Sequence, residues 1–445
     1  MRTSAILGFI FLVFLISCTD NSPLEKEFYL GGIQVNEENI DDWTKTVRKI
    51  GMNTVEVTAY LNHSIWSESH VFENNQNDGV LAEIKAAKRQ GLKVVLILRT
   101  TIQHFYPENA FLWHGMILPQ GEKKVAEWFA AYEEFALKWA QICEQEGVEL
   151  LGIGSEMNAL SATTPLERIP DLYAYFLDKE RQKNHENRAL KYRDLLQAND
   201  LWVSGYGNYE NLETYIANRV KANQQWAKTV TFSESETSLA HMNTRRLFIK
   251  NQWINLIQNI RAVYQGELTY AANFDNYMEV DFWDQLDYIG INAYFPLRTP
   301  ETSTLLQPEL ELTFLTSWDS IFQEIQQFKL AEDIPEKPVI FTELGYVSAE
   351  GATLAPWQGF GYSIVGEGKT EEIIIWNQQP TNLAERQLAV ETLQQSSQKY
   401  PDLLKGILYW KLTTHPYHLE HEPFALHIAK NPTDSMQVAL TKFLK

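Results

Sequence analysis

The sequence predicts an α/β fold of the (β/α)8, or TIM, barrel class. Apolar runs that read as strands alternate with amphipathic runs that read as helices along nearly the whole chain, the pattern of parallel βα units. Gly51, Gly91 and Gly147 stop three of the helical runs, as helix C-termini favour. Two of the apolar runs, VELLGIGSE over 148–156 and PVIFTE over 338–343, each close on a glutamate. Continuous apolar runs suit strands buried on both faces, and their C-terminal ends are where a barrel places its working groups.

The elements follow in order. Residues 28–35 read as strand one and 39–50 as its helix. Strand two is NTVEVTAY over 53–60, with a helix over 79–90. Strand three is LKVVLILRT over 92–100, followed by a loop over 101–120 that carries His104, Tyr106, Trp113 and His114, then a helix over 122–145. Strand four ends at Glu156. From 158 to about 244 the sequence turns polar and charge-rich, with a helical stretch over 170–196, and reads as an insertion or lid. A helix resumes around 243–265. Strands five and six are LTYAANF over 268–274 and LDYIGINAYF over 286–295; a helix over 314–330 leads to strand seven, 337–343. A second long loop, 345–382, holds Trp357, Tyr362 and Trp376, and the two tryptophans read equally as sugar platforms or as loop anchors. A helix over 383–399, strand eight (GILYWKL, 406–412) and a helix over 434–444 complete eight strand–helix units.

Composition narrows the function. A chain of 445 residues with 44% hydrophobic and 21% charged residues can bury a large core. A net charge of −19 repels nucleic acid and phosphate-rich ligands and suits a neutral partner; no nucleic-acid motif or phosphate loop is found. The 13 Trp and 20 Tyr include enough aromatic faces to stack on sugar rings, although most will be core.

The N-terminus carries Arg2, an apolar run over 5–16, and the ending Leu15-Ile16-Ser17-Cys18. The run is too short to span a bilayer and has the form of a secretory signal. Leu-x-x-Cys resembles a bacterial lipobox, which implies cleavage before Cys18 and a diacylglycerol on its thiol. Residues 1–17 are then a signal peptide, 18–27 a tether and 28–445 the barrel. The chain is expected in the bacterial cell envelope, touching the membrane through its N-terminal lipid only; a plain signal peptide is the alternative. Cys143, the one other cysteine, lies in a helical pattern and is expected to be buried and inert.

In this layout Glu156 and Glu343 end strands four and seven, which face each other across a closed barrel. Two facing carboxyls are what cleavage of a glycosidic bond requires. One must hold a proton, through burial or a nearby negative charge; the other must stay ionised, helped by a cation or hydrogen-bond donor. Arg99 and Tyr294, near the ends of strands three and six, are candidates for such contacts. Glu56, alternating with Val55 and Val57, reads as an inward-facing structural acid. His415, His418, His421 and His427 match no helix-borne metal motif and read as a loop over the barrel mouth. Glu234 and Glu236 read as a solvated loop.

IGSEMN around Glu156, LTYAANF, DYIGINAY and FTELGY resemble the retaining glycoside hydrolases of clan A, and are most similar to glycoside hydrolase family 113, an endo-β-1,4-mannanase group. WFAAYEEFALKWAQICEQEGVELLGIGSE resembles that family's third helix and fourth strand. Carried over by position, the resemblance implies Glu156 as acid/base and Glu343 as nucleophile. It implies Tyr294 beside the nucleophile, Trp410 under the reacting sugar, and Asn273, Asn292 and Trp113 lining the cleft. Ser155 stands where many clan members have asparagine, so the contact to the substrate 2-hydroxyl must come from elsewhere, with Asn158 the candidate. The loop after strand three and the insertion after Glu156 also depart from the family pattern. The expected substrate is a β-mannan or a related β-linked poly- or oligosaccharide, with no metal or organic cofactor needed. The competing readings are a non-catalytic glycan-binding lipoprotein on a barrel scaffold, and a same-clan exo-glycosidase or glucanase.

Overall fold

The structure is a computed structural model that describes residues 28–106, 109, 113–119, 121–161, 187–188, 191–201, 239–302 and 307–444. Eight parallel strands form the barrel: β1 (Tyr29–Gln34), β2 (Thr54–His63), β3 (Lys93–Ile102), β4 (Leu150–Ser155), β5 (Glu267–Asn273), β6 (Ile289–Asn292), β7 (Val339–Leu344) and β8 (Leu404–Thr413). Each pairs with the next, β8 pairs with β1, and β1 with β2, so the sheet closes.

Closure explains a glycine pair. A Cβ at Gly31 would stand 1.8 Å from the Thr54 carbonyl oxygen, and one at Gly32 would stand 2.3 Å from that of Tyr409. The strand that seals both seams therefore tolerates no side chain at these two positions.

The barrel interior is filled by Tyr29, Val95, Ile97, Leu150, Ala271, Tyr288, Ile340 and Leu408. A larger apolar cluster fills the space between strands and helices, the two-layer core expected of this class. Cys143 belongs to that outer layer and is fully buried.

The outer helices span Ile40–Lys49, Val80–Arg89, Gly121–Glu146, Leu239–Arg261, Gln307–Ala331, Leu383–Ser397 and Ser435–Thr441. The first shows how the sequence writes a helix: Asn39 accepts a hydrogen bond from the Asp42 amide, acids lead, and Arg48 and Lys49 close before Gly51.

Several features differ from the sequence expectation, among them these. The connection from β5 to β6 is not an α-helix but two 3-10 turns, Tyr277–Glu279 and Trp283–Gln285. Few residues separate those strands, and buried Tyr277, Phe282 and Trp283 plug the gap instead. The loop after β7 contains a two-stranded antiparallel ribbon, Tyr362–Val365 with Glu372–Ile375. The helix after the insertion begins at Leu239, earlier than expected.

Of the insertion, the described parts include the short α-helices Asn158–Ser161 and Arg193–Ala198. Arg188, Lys191 and Tyr192 all donate to the Glu371 carboxylate, at 2.7, 2.9 and 3.1 Å. The insertion is thus clamped to the ribbon after β7. Cys18, Glu234, Glu236 and the residues expected to form a signal peptide and a tether lie outside the described residues. No described helix is long and apolar enough to cross a membrane.

Candidate active site

The C-terminal ends of the strands surround a cavity of about 670 Å3, a size suited to a few small rings. Glu156, Glu343, Arg99, Trp113, Asn158, Asn273, Tyr294 and Trp410 all line it.

Glu156 follows the last residue of β4 with a left-handed backbone, φ 52°. Such a conformation costs a non-glycine residue of order 1–3 kcal/mol and persists only where its surroundings enforce it. Here the Glu156 amide donates to the Ala271 carbonyl at 2.9 Å and the Met157 amide donates to the Tyr270 hydroxyl at 2.8 Å. Glu343 stays inside β7 and is almost completely buried.

Asn292, the last residue of β6, joins the two acids. Its side-chain nitrogen donates to Glu156 Oε1 at 2.9 Å and to Glu343 Oε1 at 3.1 Å, while its oxygen accepts from Thr342 Oγ1 at 2.8 Å. The Thr342 contact fixes which end of the amide faces the acids. Two oxygens within those distances of one nitrogen are at most about 6 Å apart. The roughly 120° spread of an amide's two hydrogens sets them about 5 Å apart. Asn292 is fully buried beneath the carboxyls, a brace and not a wall of the cavity.

Glu343 has further partners. Tyr294 donates its hydroxyl to Oε2 at 2.5 Å, and the Arg99 guanidinium forms an ion pair with Oε1. Arg99 also reaches Glu56 at 3.1 Å and lies 5.1 Å from the centre of the Trp410 ring. Glu56 is the inward-facing acid its alternation in β2 predicts; burial, only partly offset by Arg99, pushes it up to about 8. Arg99 itself is held above its ordinary range: burial works against its charge, but Glu343 and Glu56 outweigh that.

Glu156 has a different neighbour. His114 Nε2 lies 3.0 Å from its Oε2, and the His114 side chain is about one-third exposed. Burial pushes Glu156 up, but His114, Arg99 and Asn292 together bring it below its usual value. Glu343 is raised: burial and the Glu156 charge overcome Arg99 and Tyr294.

The remaining expected residues settle as follows. Asn273 donates to the Asn158 side-chain oxygen at 3.1 Å, so these two form one polar edge. Ser155 is buried and its hydroxyl makes no hydrogen bond. The Trp113 ring packs over Gly115, where a Cβ would meet it at 2.2 Å. Glu37 at the barrel mouth accepts from Thr413 and Thr414 and lies 3.5 Å from His415 and 4.0 Å from His418. Among the described residues, no group of three or more His, Cys, Asp or Glu could hold a metal ion. His114, Tyr60, Phe274 and Trp357 also line the cavity. Of the two loop tryptophans that the sequence leaves open between sugar platform and loop anchor, Trp357 lines the cavity and Trp376 does not; His114 is a site residue the sequence does not point to, because Glu156, which it touches, lies far away in sequence.

The model of Glycoside Hydrolase Family 113 matches residues 37–244 and 239–387. The chain belongs to glycoside hydrolase family 113. It is a mannanase-like glycoside hydrolase on a TIM barrel. Similar solved structures include a family 113 β-mannanase from Alicyclobacillus acidocaldarius in complex with ManMIm, at 15% identity and a TM-score of 0.56, covering 94% of this chain and 97% of that one. Another is a family 113 β-1,4-mannanase at 16% identity and a TM-score of 0.56, covering 94% and 99%. At these identities the likeness speaks for the fold. A search of curated proteins finds no match.

Proposed function

We propose that this family 113 enzyme hydrolyses β-mannan or a related β-linked oligosaccharide with retention of anomeric configuration. The observation that carries the mechanism is the single amide nitrogen of Asn292 shared by both carboxyls. Retaining enzymes hold their acids about 5–5.5 Å apart, whereas inverting enzymes need about 6.5–9.5 Å to admit a water. Two carboxyl oxygens about 5 Å apart on one amide nitrogen fall in the first class.

Glu343 is the nucleophile. Its carboxylate oxygens accept from Arg99, Asn292 and Tyr294, which fix it for attack on the anomeric carbon. Glu156 donates a proton to the departing oxygen as the glycosyl ester forms, then takes a proton from the water that cleaves the ester. Trp410 lies under the reacting sugar, and the Asn158–Asn273 edge meets its hydroxyls.

The surroundings of the two carboxyls act the other way round, holding Glu156 below and Glu343 above the usual carboxyl value. His114 accounts for the Glu156 half, whereas burial and the Glu156 charge raise Glu343. It occupies Glu156 Oε2, the oxygen a leaving group must approach. Substrate that displaces His114 removes the strongest influence lowering Glu156, and burial then favours the protonated acid. Once Glu343 is esterified its charge is gone and Glu156 ionises more readily, as a base must.

The mannan preference rests on the family and on the mannanase structures it resembles. We also infer that Cys18 carries a lipid holding the enzyme at the cell envelope, on the sequence pattern alone. The deciding experiment measures reducing sugar released from β-mannan, glucomannan, β-glucan and xylan by the parent, Glu156→Ala and Glu343→Ala. Release from mannan that vanishes in both variants is expected. Release from β-glucan or xylan only would replace the substrate assignment, and no release by folded parent would overturn the proposal.

A further inference from the structure

We propose that Phe274 and Trp357 form a stacking platform for the sugar on the leaving-group side of the scissile bond. The inference rests on the hydrolase reading above and adds a subsite to it. Phe274 directly follows β5, and Trp357 comes from the loop after β7. Their rings lie stacked, with centroids 5.6 Å apart and planes 19° apart. Both line the active-site cavity.

Trp357 is 46% exposed. A large aromatic left half-exposed inside a pocket, its ring backed by the stacked Phe274 ring, presents an apolar surface to whatever fills the pocket. A pyranose ring with its axial hydrogens on one face is a ligand of that shape.

The platform is rigid. Phe274 is met edge-on by Phe295 at 5.5 Å. The segment leading to Trp357 is pinned by Glu385, which accepts from the amides of Gly351 and Thr353 at 3.0 and 3.1 Å. Trp376, in the same loop, is buried and donates to Ser363 at 2.9 Å. It anchors the loop, whereas Trp357 faces the cavity.

The side follows from the neighbours. Trp410 and Arg99, on β8 and β3, cover the region where the attacked sugar sits. Phe274 lies next to Asn273, which is bonded to Asn158 two residues beyond Glu156. Phe274 therefore stands at the end of the strand paired with β4, beside Glu156, on the side where the proposed acid meets the departing oxygen, and Trp357 stacks on it there.

The test compares Trp357→Ala, Trp357→Phe and parent on two substrates: a β-1,4-linked mannose oligosaccharide and a β-glycosyl fluoride of the same glycone. Fluoride leaves without needing a platform. For Trp357→Ala the oligosaccharide-to-fluoride ratio of kcat/KM is expected to fall about tenfold or more, with Trp357→Phe recovering most of it. A ratio unchanged within twofold would overturn the platform, and an equal loss on both substrates would move Trp357 to the glycone side. Calorimetric binding of the same oligosaccharide in a Glu343→Gln background separates this inference from the hydrolase reading. If the parent hydrolyses nothing, weaker binding on adding Trp357→Ala still supports the platform, and undiminished binding rejects it.

Discussion

Replacing Asn292 tests whether one buried amide sets the relation between the two acids. Asn292→Ala removes two donors to carboxylates, at 2.9 and 3.1 Å. Hydrogen bonds to charged groups are worth about 1.5–3 kcal/mol each. Part of that is recovered as water or neighbouring groups move in, and deleting one preorganised donor to a reacting charge elsewhere costs about 10²–10³ in kcat. We expect kcat on a β-linked mannose oligosaccharide to fall about 100-fold. KM should change little, because Asn292 is fully buried below the cavity. Asn292→Asp keeps the volume but adds a third carboxyl between two others, and should be at least as damaging as alanine. Thr342→Val removes only the contact that orients the amide; losing one neutral hydrogen bond, about 0.5–1.5 kcal/mol, predicts a fall of up to about tenfold. Steady-state kinetics on the three variants, with thermal unfolding to confirm that each folds, decides the matter. An Asn292→Ala enzyme within threefold of the parent in kcat, or a loss carried entirely by KM, would refute the brace.

Two further variants probe the charges. His114→Ala removes the main influence lowering Glu156, so the proton on Glu156 should survive to higher pH and the alkaline limb of the kcat/KM profile should move upward; a limb that stays or moves down would contradict the His114 role. Glu56 is held at about 8, above the ordinary carboxyl range, so the folded state keeps a proton that the unfolded chain releases. Its contribution is therefore present at low pH and lost as pH rises towards 8, by at most about 1.4 kcal/mol per pH unit. Glu56→Gln should flatten that decline in denaturation midpoints measured from pH 5 to 8; an unchanged slope would show that Glu56 is not its source.

What was legible in the sequence follows its periodicities. The apolar runs of β4 and β7 end at or beside Glu156 and Glu343, and the runs of β3 and β8 carry Arg99 and Trp410, so a strand alignment brings all four to one mouth. Alternation in β2 turned Glu56 inward, where it meets Arg99. Contacts made by loops carry no such signal. His114 reaches Glu156 across 42 positions, from a segment with no regular pattern. The stack of Phe274 on Trp357 joins the loops after β5 and β7, whose courses depend on Glu385 and on the ribbon clamped through Glu371. Asn292 was legible as a residue near the cleft but not as a brace, because its role depends on where the Thr342 hydroxyl holds its amide. The β5–β6 connection has a simpler cause: it is short, and buried Tyr277, Phe282 and Trp283 fill the space in two short turns.

The most direct test of the central claim is the anomeric configuration of the first product, read by proton NMR in the first minutes of oligosaccharide hydrolysis, before mutarotation. A brace that holds the acids about 5 Å apart predicts that the β anomer appears first and the α anomer grows in later. The α anomer appearing first would mean that a water fits between the carboxyls, and would contradict both the spacing and the covalent role of Glu343.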